Sequence, residues 1–297
     1  MTVFYSDRYT IPLPDGHRFP MEKYRLLRLA LLREGVLRDS ELAEPALATR
    51  DQLLLAHSAA YIDSICNGTA SPDVIRRIGF PWSQGLVARS LATVGGAISA
   101  AETALRDGVS GNLAGGTHHA LRNAGEGYCV FNDLAVAALW LLEKKSVSRV
   151  AIVDLDVHQG NGNSDILGGR NDVFIFSMHG AKNYPFRKVA STIDIDLADG
   201  TGDAEFLAIL QTVLPRVFEF QPGLVLYQAG VDPLKEDTLG RLALSHQGLM
   251  ERDRMVLSEC KRHGVPVSLA LGGGYAKPID LTVEAHVGTY RVVKEIF

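Results

Sequence analysis

Four short apolar runs rich in β-branched residues punctuate the chain, at 150–157, 173–178, 224–228 and 267–271. Runs without polar alternation are the pattern of strands buried on both faces. Around them the apolar positions recur at helical spacing. The segments 21–34, 84–107 and 132–145 read as amphipathic or alanine-rich helices, the last with Asn132 or Asp133 as N-cap, and further helices are predicted at 203–219, 245–263 and 283–296. Strands alternating with helices predict an α/β fold: one open parallel β-sheet flanked by helices on both faces. No repeat, low-complexity tract or linker interrupts the pattern, so 1–297 reads as a single domain. Each of the four runs ends in polar or glycine residues, at 154–161, 179–180, 230–232 and 272–275. Ligand sites of open parallel sheets lie at the carboxyl ends of the strands, so the chemistry should gather there.

Composition narrows the partners. A net charge of −4 with 22% charged residues carries no basic footprint, which argues against direct nucleic-acid binding. The hydrophobic fraction of 46% is enough for a large core. Cys66, Cys129 and Cys260 are far apart and odd in number, and no C-x-x-C pair occurs, which argues against a disulfide framework or a cysteine-based zinc finger. The N-terminus has no basic start followed by an apolar run, and no apolar run is long enough to span a bilayer. A reduced, cytoplasmic setting is the expectation.

The densest chemistry lies in VDLDVHQGNG, residues 153–162. On an extended strand, Asp154, Asp156 and His158 share one face. Three polar groups there need partners, and a divalent cation would supply one. One imidazole with carboxylates suits zinc, though other metals accept the same donors. In LYQAGVD, Asp232 ends a second apolar run and could add a third ligand. In GGTHHA, His118 and His119 follow a glycine pair and are candidates for acid–base work. In LGGGY, three glycines would bring Tyr275 to a pocket as a hydroxyl donor. Each motif alone has an ordinary reading as a loop, cap or turn. Together they make a hydrolytic kit: a metal site, a base, an acid and an oxyanion donor.

With GYCVFND, these motifs stand in the order and spacing of the histone deacetylase family, and the chain resembles that family over most of its length. HQGN resembles its class IV branch and bacterial relatives. The resemblance implies the arginase–deacetylase fold and a zinc-dependent deacylase. It implies Asp156, His158 and Asp232 as zinc ligands, and His118 and His119 as the tandem acid–base pair, with His119 the working base. Tyr275 would be the oxyanion donor and Asp154 the partner that orients His118. It further implies a structural potassium held by Asp154, Asp156, His158, Ser177 and Met178, partly through carbonyls. Gly127 and Tyr128 would form one wall of an acyl-lysine tunnel and Tyr184 the other. Two positions depart from the best-studied class: Asn161 replaces an acidic residue behind the second histidine, and Gln159 replaces a histidine after His158. The PDGHRFP stretch, residues 14–20, resembles the family's entry loop, without placing His17 or Arg18 in the site.

Three rival readings share parts of this pattern. A binuclear, arginase-like site needs carboxylates that are missing: glycine stands at 160 and 230, and Leu234 follows Asp232. An acetylpolyamine or other small acylated amine could replace the acyl-lysine protein or peptide as substrate, with every catalytic residue shared. A non-catalytic acyl-lysine or metal-binding module is disfavoured by the presence of both a candidate base and Tyr275. The motifs leave open the acyl chain, for which the class IV resemblance makes long chains plausible. They also leave open the metal, since Fe2+ or Co2+ would suit the same ligands.

Overall fold

The computed structural model describes all 297 residues. One sheet holds eight strands: β1 (Val3–Phe4), β2 (Leu42–Ala43), β3 (Val109–Asn112), β4 (Val150–Asp154), β5 (Val173–Gly180), β6 (Ile193–Leu197), β7 (Leu224–Gln228) and β8 (Val267–Ala270). Their order is β2-β1-β3-β8-β7-β4-β5-β6, and every pairing is parallel. Alternate side chains of the central strands feed two cores. Val150, Ile152, Ile175, Leu224 and Leu226 pack under the helices Lys23–Arg33, Gln84–Asp107 and Asp133–Glu143. Ala151, Val153, Phe176, Val225 and Tyr227 pack under Asp203–Val213 and His246–His263. The last helix, Ile279–Ile296, contributes to both. This is the predicted open parallel sheet with helices on both faces. No helix is long and apolar enough to cross a membrane, and all three cysteines are free.

Several boundaries differ from the sequence pattern, for physical reasons. The run 150–157 stays extended only to Asp154. There the Asp154 carboxylate accepts the Asp156 N–H (3.3 Å) and the Asp156 carboxylate accepts the His158 N–H (3.0 Å). These local bonds replace the ladder and turn the chain out of the sheet, so Asp156 and His158 lie in a loop rather than on a strand face. The predicted helix 203–219 breaks into Asp203–Val213 and Pro215–Glu219 because Pro215 has no N–H to continue it. Asn132 and Ser245 cap their helices through bonds from the amides of Ala135 and Gly248. The added strands β1 and β2 have two residues each, too few for periodicity, β3 reads VSGN rather than as an apolar run, and β6 is an edge strand whose IDIDL alternation keeps its aspartates out of the core.

Candidate active site

The carboxyl ends of β3, β8, β7, β4 and β5 are neighbours in the sheet, and the loops leaving them meet in one buried pocket. Asp156, His158 and Asp232 each bring a donor atom there, all within 4.8 Å of one another. His158 Nδ1 lies 3.1 Å from Asp156 Oδ1 and 3.0 Å from Asp232 Oδ2. The remaining oxygens are tied to main chain: Gly273 N–H donates to Asp156 Oδ2 (2.7 Å) and Val157 N–H to Asp232 Oδ1 (2.9 Å). Two carboxylates are thus held against one imidazole in the interior. Burial and the Asp156 charge push Asp232 up to about 7. Burial pulls His158 down, but Asp232 and Asp156 outweigh it and raise it to about 10. Buried groups of this kind call for a cation, and the N/O donor set fits a divalent metal.

The absence of further carboxylates is built into the packing. A Cβ at Gly230 would lie 2.2 Å from Asp156 Oδ2, and one at Gly160 would lie 2.3 Å from Asp154 Oδ2. An aspartate at either position would have to displace the Asp156 or Asp154 carboxylate, and the donor set present is three.

His118 and His119 lie with ring centroids 4.2 Å apart, tilted by 50°, and have opposite surroundings. His118 Nδ1 meets Asp154 Oδ2 at 2.8 Å. Burial lowers its pKa, but Asp154 and Asp156 bring it up to about 9, which keeps it cationic. His119 Nδ1 meets Asn161 Oδ1 at 2.7 Å, and Asn161 Nδ2 donates to Glu126 Oε1 at 2.8 Å. Glu126 therefore fixes the amide so that its oxygen faces His119. The His119 proton is then on Nδ1, and the Nε2 lone pair is free. Burial and the charges on His118 and His158 hold His119 well below the ordinary imidazole value. The two imidazoles are thus shifted in opposite directions, His118 up and His119 down.

Tyr275 is carried by the 271–275 loop, where Asp237 accepts its N–H at 2.6 Å. Burial and the Asp232 and Asp156 carboxylates raise its phenol well above the usual range, so it is a hydroxyl donor at neutral pH. Tyr275 lines the pocket with His118, His119, Gly127, Tyr128, Asp156 and His158. The pocket shares His119, Tyr128, His158 and Tyr275 with an outer vestibule that Tyr184, Arg76 and Arg77 also border. Tyr184 meets the His119 ring edge-on at 4.9 Å, and Phe19, Phe80 and Tyr128 form a separate aromatic cluster. Ser177 stands opposite Asp154 in the β4–β5 register, and Met178 follows it, fully buried. His17 is not in the site: its Nε2 bonds Gly79 O (2.9 Å) and its Nδ1 accepts the Phe19 N–H (3.1 Å), which pins the N-terminal loop.

Several contributors escaped sequence reasoning. Glu126 sits one residue before the Gly127–Tyr128 pair, and nothing local marks it as the partner of Asn161. Gln228, read only as the end of an apolar run, donates to Gly116 O at 3.0 Å and ties the histidine loop to β7. Lys23 and Arg89 lie in amphipathic helices where a cation reads as solvent-facing, yet both are buried.

The profile of the histone deacetylase domain matches residues 17–289. Histone deacetylase 2 of Arabidopsis thaliana is 32% identical over 291 residues, covering 93% of this chain and 75% of that protein. An uncharacterised protein of Picosynechococcus sp. (strain ATCC 27264 / PCC 7002 / PR-6) is 43% identical over 296 residues, covering 99% of each chain. Among solved structures, a histone deacetylase homologue from Aquifex aeolicus superposes with a TM-score of 0.83 at 26% identity, covering 97% of this chain and 82% of the other.

Proposed function

The chain belongs to the histone deacetylase family, and on that premise we propose that it is a zinc-dependent lysine deacylase that hydrolyses a short acyl group from the ε-amine of an acyl-lysine in a protein or peptide. The observation that carries this reading is the convergence of Asp156, His158 and Asp232 beside a cationic His118, a neutral His119 and the Tyr275 hydroxyl. Zinc would be held by the three donor atoms, Fe2+ or Co2+ being accepted by the same set. Bound there, it supplies Lewis-acid polarisation of the acyl carbonyl and of water. A potassium ion would be held next to it by Asp154, Asp156, His158, Ser177 and Met178.

The residues of the chain do the rest. His119 Nε2 takes the proton of the attacking water. The Tyr275 hydroxyl donates to the carbonyl oxygen as it becomes an oxyanion. His118, kept charged by Asp154, stabilises the negative charge that builds up. The proton collected at His119 passes to the leaving amine. Tyr128, Phe19 and Tyr184 enclose the apolar lysine stem. The single domain of 1–297 carries this whole machinery.

Two observations refine the substrate. The inner pocket measures about 50 Å³, a few water-sized volumes at about 10–15 Å³ each, which favours acetyl and other short chains over fatty acyl groups. The vestibule carries exposed Arg76 and Arg77, which repel a polycation, so a peptide is favoured over a polyamine. A series of lysine peptides from acetyl to myristoyl, with an acetylpolyamine alongside, tests both. Exhaustive chelation is expected to abolish turnover, with zinc or cobalt restoring it. Turnover persisting after verified metal removal would sink the proposal. Asp232→Ala is expected to lose the metal, whereas His119→Ala keeps it and loses about 10²–10⁴ in kcat.

A further inference from the structure

Two cations without an ion-pair partner are buried here: Arg89 lines the inner pocket, and Lys23 sits behind Gly272, which also lines it. Lys23 is 2% exposed and Arg89 is 7% exposed. Lys23 Nζ reaches only the carbonyls of Gly272 (3.3 Å) and Gly274 (3.5 Å), beyond the usual N–H···O range. Arg89 has no hydrogen-bond acceptor in the protein. Its guanidinium rests over the Tyr24 ring, 4.5 Å from the centroid, and lines the pocket beside Ser90 and Thr93. A buried guanidinium cannot shed its proton to escape the cost of burial, so it ordinarily carries a carboxylate. Arg252, fully buried elsewhere in the fold, does so, with Asp253 Oδ1 2.8 Å away. Arg89 is nearly as buried, without the partner, and the surface it faces is the same cavity that holds His118, His119, Asp156 and His158.

We propose that Arg89, assisted by Lys23, is an anion-binding end to the acyl pocket, and that the preferred acyl groups are short chains ending in a carboxylate, such as succinyl. The inference rests on the deacylase reading of the same site. The guanidinium fork matches a carboxylate in two parallel N–H···O bonds, and an otherwise unpaired cation gains most from such a ligand. The reaction is plain hydrolysis. The amide C–N bond breaks, a C–O bond forms to the water oxygen, and one water proton goes to the lysine amine. The products are free lysine and a dicarboxylate, with no redox partner needed.

The test is kcat/KM for one lysine peptide carrying acetyl, butyryl or succinyl, with the wild-type protein and with Arg89→Gln and Arg89→Lys. Succinyl is expected to exceed butyryl by ten-fold or more in the wild type. That ratio should fall at least ten-fold in Arg89→Gln and be partly restored in Arg89→Lys. Calorimetric binding of free succinate, measured on the metal-loaded wild type and on Arg89→Gln, gives a second readout that needs no turnover. Binding to the wild type that is lost in Arg89→Gln supports the site. Turnover of acetyl and butyryl with no preference for succinyl, or an unchanged ratio in Arg89→Gln, overturns this inference and leaves the deacylase reading standing. If no acyl peptide is hydrolysed, the deacylase reading fails, and succinate binding alone decides whether the anion site exists.

Discussion

His119 and His118 are adjacent in sequence and chemically opposite because one faces an amide and the other a carboxylate. Asn161 Oδ1 accepts from His119 without adding charge, so its bond, even with the Asp156 carboxylate, raises this imidazole less than burial and the neighbouring histidines depress it. A base works in its neutral form, above its pKa, so a depressed pKa puts the acid limb of the kcat/KM profile below the ordinary imidazole value of 6.5. Asn161→Asp places a negative charge at the same atom. It is expected to raise the His119 pKa and move the acid limb to higher pH by about one unit or more, as measured from kcat/KM between pH 5 and 9. A limb that stays in place would show that Asn161 is not coupled to the base. Tyr275→Phe removes a donor at the carbonyl oxygen and is expected to cost about 10²–10³ in kcat, with metal content unchanged by elemental analysis.

The loops that carry Asp156, His158 and Asp232 are held by an element on the far side of the sheet. Arg252, on the helix His246–His263, is fully buried and donates to the carbonyls of Leu155 (3.2 Å) and Gly230 (2.6 Å), next to Asp156 and two residues before Asp232. Its counter-ion Asp253 also accepts from Tyr227 (2.5 Å) and Thr289 (2.6 Å). Arg252→Met strands the Asp253 charge, which for a buried pair costs about 3–5 kcal/mol. Urea denaturation should read that loss, and the double variant Arg252→Met/Asp253→Asn should recover part of it. None of this was legible in the sequence, where Arg-Asp in a helix reads as a solvated pair. The same limit hid Lys23 and Arg89: helical periodicity says which residues share a stripe, not which cation the neighbouring elements will cover. What the sequence did carry was local. Asp154, Asp156 and His158 are two residues apart, and Gly272–Gly274 precede Tyr275, so short-range geometry alone brings each group to a strand end. The central strands were readable because they are apolar on both faces. β6 and the two-residue strands were not, since pairing to a neighbour defines them more than their own side chains do.

At the scale of the whole molecule the charge distribution runs against the total. The chain carries −4 overall, yet the vestibule is bordered by Arg76 and Arg77 and no acidic residue borders it with them. Arg76 is engaged with Asp73 at 2.8 Å, whereas Arg77 forms no ion pair. Such a mouth attracts an acidic peptide and repels a polyamine over distances set by the Debye length, about 8 Å at physiological ionic strength. An exposed charge pair contributes about 0.2–1 kcal/mol, which corresponds to a change in KM of up to about five-fold. Acyl-lysine peptides flanked by glutamate are therefore expected to show a lower KM than the same peptides flanked by lysine, with the gap closing as salt rises from low to about 1 M, where screening is nearly complete. Arg77→Glu should invert the preference and leave kcat alone, because the side chain lies outside the inner pocket that holds the reacting groups. A preference for flanking charge that ignores both salt and Arg77→Glu would place its origin elsewhere on the surface and reopen the polyamine reading.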